Sequence, residues 1–430
     1  MKVSGLSRHS LCLSIGIATL AGCGGSQPPI GALGAMPQSR ATGLPASLTY
    51  RVLHRFIRLV NGGHPVAPLI NVQGTLYGTT PDGGSYGYGT VFSISKRGVK
   101  KTLYSFRGGE YDGANPQASL TDVNGTLYGT TFGGGQTGSY CTFENAGCGT
   151  VFTITTSGQE KVLFYFDGSD GSSPAGGLLD VNGQLYGTTL SGNGSAGNGT
   201  VYTISTSGSE KVLYRFPGSA GQGFFPRGNL IEVQGKLYGI TSGGGHPHNG
   251  GTVYSITTSG SEKLLHSFGR RGDGYGANGD LMDVNGTLYG TTLQGGGSRR
   301  CTYGCGTVFA ITTTGKEHVV YDFGGSNDGA LLNAGLIDVN GTLYGTTTRG
   351  GTSSACYDGE DAVRGCGTIF GVSSSGAETV LHDFTGGSDG ALPIATLLDV
   401  HGTLYGTTEY KFSGEHGHPR GYGTVFALSL

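Results

Sequence analysis

The segment NGTLYGTT at residues 124–131, together with GTVFTITTSGQEKVLFYF at residues 149–166, recurs with small variations along the chain. Its β-branched and aromatic residues favour strands, and its glycines favour turns. The string Leu-Tyr-Gly begins at Leu76, Leu127, Leu185, Leu237, Leu288, Leu343 and Leu404. The string Gly-Thr-(Val/Ile)-(Phe/Tyr) begins at Gly89, Gly149, Gly199, Gly251, Gly306, Gly367 and Gly423. The recurrence of both strings predicts a seven-fold repeat architecture.

Each repeat carries two further strand patterns, one before and one after these strings. The first pattern places a Leu three residues before a Val, and its leucines are Leu69, Leu120, Leu178, Leu230, Leu281, Leu336 and Leu397. The second pattern ends in a phenylalanine, at Phe56, Phe106, Phe166, Phe216, Phe268, Phe323 and Phe384. Seven copies of four strands predict an all-β fold, a seven-bladed β-propeller with four-stranded antiparallel blades.

Small residues indicate the order of the strands within a blade. Two positions before the Leu of the first pattern the residue is always small: Ala67, Ala118, Gly176, Gly228, Gly279, Ala334 and Ala395. Because strands converge at the axis of a propeller, we expect this strand to be the innermost one. The chain then begins with an outer strand, Thr49–Phe56, and ends with the third strand of the last blade. We therefore expect the N-terminal strand to close the last blade.

The turns predict two unlike ends of the propeller. An Asn-Gly pair, as at Asn124, separates the first two strands, and this pair favours the two positive φ angles of a type I′ turn. A second short turn, as at Gly158, follows the Gly-Thr-Val-Phe strand. Successive strands are antiparallel, so both short turns lie at one end and the long, variable loops lie at the other. We expect the long-loop face to carry the function, because function concentrates on variable loops over a rigid scaffold.

The composition excludes several classes of protein. The 430 residues include 87 glycines, 36% hydrophobic residues and only 13% charged residues, which argues against long solvated helices. The formal net charge of −2 gives no electrostatic basis for binding nucleic acid. No stretch of about 20 apolar residues is present to span a membrane.

The N-terminus has the pattern of an export signal. Lys2 and Arg8 precede a short apolar run that ends in Leu20-Ala-Gly-Cys23. These four residues resemble the lipobox of bacterial lipoproteins, in which the cysteine is lipidated after cleavage before it. The alternative is an ordinary signal peptide. We expect a lipoprotein signal peptide at 1–22, a flexible tether at 23–47 anchored through Cys23 to the cell envelope (outer membrane or cell surface), and the propeller at 48–430.

The repeat as a whole resembles the tandem repeat called GloVer, which occurs in exported proteins of environmental bacteria. The resemblance covers residues 48 to 430 and implies a propeller, but it implies no established activity. A weaker likeness connects the Gly-Thr-Val-Phe strands with the repeats of quinoprotein dehydrogenases. The chain contains no tryptophan, so the docking tryptophans of that second family are missing. We therefore expect no quinone and no other cofactor.

Six cysteines outside the signal and the lipobox form three local pairs in the loops that precede the Gly-Thr-Val-Phe strands. The pairs are Cys141 with Cys148, Cys301 with Cys305, and Cys356 with Cys366. Loops on different blades are held apart, so we expect a disulfide within each pair, as export favours. Metal binding is the alternative, but no loop offers four ligands.

Other loop residues are candidates for ligand binding. Two His-x-His pairs lie in loops of blades 4 and 7, at His246, His248, His416 and His418. They could chelate a metal or be solvated, and the second interpretation is favoured, so no metal site is predicted. Tyrosines in long loops could stack on sugars, chiefly Tyr140, Tyr303 and Tyr357. The aspartates that recur in five of the seven repeats, such as Asp112 and Asp122, are interpreted as turn residues.

Two classes of function remain open. No nucleophile elbow, zinc-protease motif or phosphate loop is present, so no catalytic residue is predicted. The favoured hypothesis is an exported, lipid-anchored, monomeric module that binds a glycan, polymer or protein through its long-loop face without catalysis. The alternative is an exported propeller lyase or hydrolase with a site at the mouth of the central channel. An enzyme should show a cluster of non-recurring acids, bases or metal ligands near the axis, whereas a binding module should show exposed loop aromatic residues without such a cluster.

Overall fold

The structure, a computed structural model, describes residues 48–138, 141, 147–192, 197–219, 221–269, 272–324, 327–356, 363–412 and 419–430. Every described residue belongs to one compact unit, Met36–Leu430. The expected signal peptide, the tether and Cys23 lie outside the described residues. Within the described residues, no helix has the length and hydropathy that crossing a bilayer requires.

Seven antiparallel sheets form the blades, which are numbered along the chain, with strands A to D running from the inside to the outside of each blade. The A strands are Ile70–Val72, Thr121–Val123, Leu179–Val181, Gly223–Val233, Met282–Val284, Ile337–Val339 and Leu398–Val400. The B strands are Thr75–Thr80, Thr126–Thr131, Gln184–Thr189, Lys236–Gly244, Thr287–Gly295, Thr342–Thr347 and Thr403–Thr408. Neighbouring A strands contact one another, so strand A is the innermost strand, as predicted.

The outer half of each blade is equally regular. The C strands are Thr90–Ser95, Thr150–Thr155, Thr200–Ser205, Thr252–Thr257, Thr307–Thr312, Thr368–Ser373 and Thr424–Ser429. The D strands are Lys100–Ser105, Glu160–Tyr165, Glu210–Arg215, Glu262–Ser267, Glu317–Asp322, Glu378–Asp383 and, for blade 7, Thr49–Arg55. Short extra elements lie in the connections: Leu59–Asn61 (a 3₁₀ turn), Gly113–Ala114, Gly133–Gly134, Gly274–Ala277, Lys411–Phe412 and Pro419–Gly421.

The ends of the propeller chain meet in blade 7, which confirms the predicted closure. The N-terminal strand Thr49–Arg55 pairs antiparallel with Thr424–Ser429, in a register that places Thr49 opposite Ser429 and Arg55 opposite Thr424. The last blade is therefore built from both ends of the ring, and the fold is a closed seven-bladed propeller.

The A–B hairpins have the predicted turn conformation. At Asn124 and Gly125 the φ angles are 52° and 84°, and equivalent pairs of positive φ angles occur in all seven blades. Asp122 accepts a hydrogen bond from the Gly125 N–H at 2.9 Å, and the equivalent aspartates of four other blades do the same. The recurring aspartates before the A–B turn are thus structural, as the repeat pattern indicates.

Aromatic side chains fill the space between neighbouring blades. The phenylalanine that follows each D strand contacts the aromatic residue of strand C in the next blade, with ring centroids 4.9–5.7 Å apart. These pairs are Phe56–Phe92, Phe106–Phe152, Phe166–Tyr202, Phe216–Tyr254, Phe268–Phe309, Phe323–Phe370 and Phe384–Phe426. Because the first pair connects blade 7 to blade 1 and the last pair connects blade 6 to blade 7, the same contact runs around the whole ring.

The small residue of each repeat lies where neighbouring blades approach at the axis. The Thr79 and Thr130 hydroxyls donate hydrogen bonds to the Ala118 and Gly176 carbonyl oxygens of the following blades, each at 3.1 Å. A Cβ atom at Gly279 would lie 2.4 Å from the Ala334 carbonyl oxygen, so a larger residue would push the two blades apart. The axis therefore requires Ala or Gly at this position.

Candidate functional site: the mouth of the central channel

The residues on either side of the small axial residue project into the central channel at the long-loop end. The residue before it is Val66, Gln117, Ala175, Arg227, Asn278, Asn333 or Ile394. The residue after it is Pro68, Ser119, Gly177, Asn229, Asp280, Gly335 or Thr396. We call the second set the inner ring and the first set the outer ring. Each ring contains six residue types among its seven positions, although the surrounding repeat is uniform.

Asp280 is the centre of a hydrogen-bond network in the inner ring. Its carboxylate accepts hydrogen bonds from the Asn229 backbone N–H at 2.7 Å, the Asn229 side-chain amide at 3.3 Å and the Thr396 hydroxyl at 3.1 Å. The Asn229 amide also contacts the Ser119 hydroxyl at 3.3 Å. The network joins blades 2, 4, 5 and 7 across the axis, so it narrows the channel below the mouth.

The environment of Asp280 raises the pKa of its carboxyl group. Burial raises the pKa of this carboxyl, while the hydrogen bonds from Asn229 and Thr396 act in the opposite direction. A partly desolvated carboxyl beside amide and hydroxyl donors can either accept or donate a proton.

The outer ring leaves a polar cavity of about 310 Å³ above this network, lined by residues of all seven blades. Asn278 donates to the Asn333 side-chain oxygen at 2.6 Å, and Asn333 donates to the Thr348 hydroxyl at 2.8 Å. Arg227 and Glu409 add one guanidinium and one carboxyl group to the wall. Burial raises the pKa of Glu409, against the effect of a hydrogen bond with its neighbour Tyr410. The volume is at the lower end of the range of about 300–1,000 Å³ that is typical of small-molecule sites.

The structure places the predicted loop residues away from this cavity. His246 and His248 are exposed in the B–C loop of blade 4 and do not line it. Tyr303 is 70% exposed and lines a separate cleft of about 220 Å³ with Asp273 and Tyr275. The remaining candidates lie outside the described residues: Tyr140, Tyr357, His416 and His418.

The three predicted disulfides are present in the structure. The Cα–Cα distances are 4.9 Å for Cys141–Cys148, 5.2 Å for Cys301–Cys305 and 5.1 Å for Cys356–Cys366. Each bond closes part of a B–C loop on the long-loop face and ends just before strand C. Disulfides are typical of exported or extracellular proteins, so the chain has the chemistry of an oxidising compartment.

A second set of polar residues lies between the outer strands of neighbouring blades. Between blades 1 and 2, the Tyr104 hydroxyl donates to the buried Asp112 carboxylate at 2.9 Å, and Glu160 lies beside both. Burial, followed by the charge of Asp112, raises the pKa of Glu160 to about 7. Between blades 4 and 5 the tyrosine is replaced by His266, which lies beside Asp273 and Glu317. There, burial and the charge of Asp273 raise the pKa of Glu317 to about 7.

The sequence interpretation missed both polar sets. It identified the small axial residues but did not use the positions on either side of them, where seven otherwise similar repeats carry six different residue types at each position. The channel mouth could have been predicted from the variation in residue type at these positions, because the rest of the repeat is uniform. The inter-blade carboxyl groups gave a weaker signal, because their partners lie in different blades.

The model of the Gloeobacter/Verrucomicrobia repeat matches residues 42–143 and 140–357. The chain belongs to this repeat family. The match covers most of the propeller and confirms the resemblance seen in the Leu-Tyr-Gly and Gly-Thr-Val-Phe strings. The residues that recur in the seven repeats of this chain build the blades, whereas the residues of the channel rings vary among the blades. No curated protein sequence matches this member of the repeat family.

Solved structures resemble this repeat-family member only distantly. A gluconolactonase from Xanthomonas campestris is 14% identical over 65% of this chain and 78% of its own, with a TM-score of 0.38. A luciferin-regenerating enzyme is 10% identical over 89% of this chain and 96% of its own, with a TM-score of 0.44. PorZ, a surface component of the type-IX secretion system of Porphyromonas gingivalis, is 12% identical over 86% of this chain and 46% of its own, with a TM-score of 0.47. These similarities do not extend to a function.

Proposed function

We propose that this protein is an exported, lipid-anchored and monomeric binding module whose ligand enters the mouth of the central channel. The observation that carries the proposal is the polar cavity, which all seven blades line and which differs in chemistry from blade to blade. The cavity lies on the long-loop face, where the disulfides stabilise the surrounding loops. A rigid, preformed site binds with a small entropy cost.

The lining of the cavity favours a small ligand rich in hydroxyl groups, such as the end of a glycan. Gln117, Asn278 and Asn333 supply amide donors and acceptors, which suit hydroxyl groups. Arg227 would pair with a carboxylate or another anionic group on the ligand.

The test is a glycan and surface-polymer array probed with the full-length protein in detergent. Two cavity variants, Arg227→Ala and Gln117→Ala, are compared with two loop variants, Tyr303→Ala and His246→Ala. We expect at least a tenfold loss of affinity in the cavity variants and unchanged affinity in the loop variants. The reverse pattern would place the ligand on the loops and contradict the proposal.

The lipid anchor requires a separate test. Cys23→Ala should move the protein from the membrane fraction to the soluble fraction, because the lipid would no longer be attached. Unchanged fractionation would contradict the anchor without affecting the channel site.

The second candidate is a hydrolase or lyase that uses the same cavity. It is favoured by one observation: two carboxyl groups with raised pKa values, Asp280 and Glu409, line the cavity. A carboxyl group that retains its proton can act as a general acid. Turnover of an ester, lactone or glycoside that Glu409→Gln abolishes, with substrate binding retained, would establish the enzyme and exclude the non-catalytic module.

A further inference from the structure

The interface between blades 4 and 5 carries a different set of side chains from the other inter-blade interfaces, and all of them are of types that bind metal ions. At every interface, the residue two positions before the recurring phenylalanine of one blade is placed toward one residue of strand D in the next blade, the residue that pairs with the fifth residue of strand C. The first position is occupied by His54, Tyr104, Phe164, Tyr214, His266, Tyr321 and His382. At the same interfaces and in the same order, the facing residues of strand D in blades 1 to 7 are Lys100, Glu160, Glu210, Glu262, Glu317, Glu378 and Tyr50.

Three metal-ligating side chains converge at the interface between blades 4 and 5. His266 Nε2 lies 3.2 Å from Asp273 Oδ2 and 3.9 Å from Glu317 Oε2, and one ligand atom from each residue lies within 4.8 Å of the others. The side chains are 19%, 9% and 11% exposed, respectively. Glu317 Oε1 is buried and has no hydrogen-bond partner in the structure. Two desolvated carboxyl groups so close together repel each other when both are charged.

The equivalent interfaces show why this one is different. Tyr321 donates its hydroxyl to Asp328 at 3.0 Å, as Tyr104 does to Asp112, so a phenol replaces the imidazole there. At the interface between blades 6 and 7, His382 lies 3.4 Å from Asp389, but Tyr50 stacks on its ring at 3.7 Å. In the part of the chain that the structure describes, only the interface between blades 4 and 5 brings ligand atoms of one imidazole and two carboxyl groups within 4.8 Å of one another.

We propose that His266, Asp273 and Glu317 bind one divalent first-row transition-metal ion, with Zn²⁺ as the first choice. Zinc accepts histidine nitrogen and carboxylate oxygen at about 2.0–2.2 Å, which separates neighbouring ligand atoms by roughly 3.4 Å in a tetrahedral site. The distances from His266 Nε2 to Asp273 Oδ2 and Glu317 Oε2, 3.2 and 3.9 Å, are close to that value, so small side-chain movements complete the site. Imidazole favours Zn²⁺ over Mg²⁺ and Ca²⁺, which prefer ligand sets of oxygen alone.

The surroundings suit an ion with an open coordination position. The His266 ring packs edge-on against Phe268, with centroids 4.7 Å apart, which limits its orientation. Asp273 also accepts a hydrogen bond from the Gly274 N–H at 2.6 Å through its other oxygen. Asp273 further lines the cleft that contains Tyr275 and Tyr303, so water can reach the fourth position. The ion would link strand D of blade 4, the crossover and strand D of blade 5.

The test measures zinc binding to the full-length protein after dialysis against a chelator. We expect calorimetry to give a site of one Zn²⁺ per chain that is absent in His266→Tyr, and we expect zinc to raise Tm by about 3 °C or more. His266→Tyr reproduces the Tyr-Asp-Glu arrangement that two other interfaces already contain, so it should fold. Glu317→Gln should lose the same site. Mg²⁺ at the same concentration should have no effect.

Two further variants distinguish this site from the exposed loop histidines. The double variant His246→Ala with His248→Ala should retain the zinc-dependent rise in Tm. Tyr321→His should add a second zinc ion per chain, because it creates the same set of ligands with Asp328 and Glu378. Zinc binding that is equal in wild type and His266→Tyr, or that disappears with the loop histidines, would overturn the proposal.

Discussion

The contacts between blades and the rings around the channel follow opposite rules. At all seven interfaces the same pair of aromatic side chains meets at nearly the same distance, from Phe56–Phe92 to Phe384–Phe426. In the channel, the residue after the small axial residue ranges from Gly177 to Asp280. The difference shows that ring closure restricts the residue types that pack between blades. The channel positions are under no such restriction and can hold polar or charged side chains. Their variety is therefore the better guide to function.

The largest expected effect comes from opening the ring. Deleting residues 48–56 removes the outer strand of blade 7 and the contact between Phe56 and Phe92. The unpaired edge of Thr424–Ser429 would be available to other chains, so we expect insoluble or aggregated protein. Size-exclusion chromatography of the expressed variant measures this. A monomer with an unchanged Tm would show that closure does not hold the ring together.

A large-to-small substitution tests a single uniform interface. Phe309 is fully buried and packs against Phe268 with centroids 4.9 Å apart. Phe309→Ala should reduce the free energy of unfolding by about 3–5 kcal/mol, because it leaves a cavity between blades 4 and 5. Urea denaturation measures the change. Phe309→Leu is the control, and it should reduce the free energy of unfolding clearly less than Phe309→Ala does. Equal costs for the two variants would contradict tight packing at this position.

Substitution of two aspartates, one in the channel and one in a turn, compares how much each site contributes to the stability of the protein. Asp280→Ala leaves the Asn229 and Thr396 donors without their acceptor, which should cost about 2 kcal/mol of stability. Asp122→Ala removes one exposed turn contact to Gly125 and should cost less than about 1 kcal/mol. Thermal denaturation of both variants measures the difference. If Asp122→Ala were the more destabilising, the channel network would not be a structural feature.

The smallest expected effect concerns pH at the interface between blades 1 and 2. The pKa of Glu160 is raised to about 7 by burial and then by Asp112, so the folded state holds a proton that the unfolded state has released. Stability should therefore fall as the pH rises from about 4.5 to 7. Arg107 and the hydrogen bond with Tyr104 oppose the shift. For a half-exposed group the loss should be about 1 kcal/mol or less.

Glu160→Gln is the variant that checks this dependence. It should flatten the stability curve between pH 5 and pH 8 and be more stable than wild type at pH 8, because the amide carries no charge. Urea midpoints across this pH range measure the effect. An unchanged slope would show that Glu160 is ionised throughout the range, as an exposed glutamate would be.

Much of the fold could be predicted from short stretches of sequence. The Asn-Gly turns, the alternation of apolar residues in each strand and the pairing of cysteines within one loop all act over fewer than about 12 residues. The loop candidates were chosen by the same local reasoning. His246, His248 and Tyr303 are exposed residues outside the channel cavity, because a loop position alone does not reveal which side chains converge.

The sequence by itself determined the number of blades, the order of their strands, the closure by the N-terminal strand and the three disulfides. The blade count, the strand order and the closure depend on local periodicity and turn conformation, and the strand and turn patterns occur seven times in the chain. The disulfides depend on the pairing of cysteines within one loop. Only the tertiary structure decided which polar residues meet. Asp280 and Thr396 are separated by 116 residues, and Asn229 and Ser119 by 110. They contact each other because closing the ring brings every blade to one axis, a constraint that no single repeat contains.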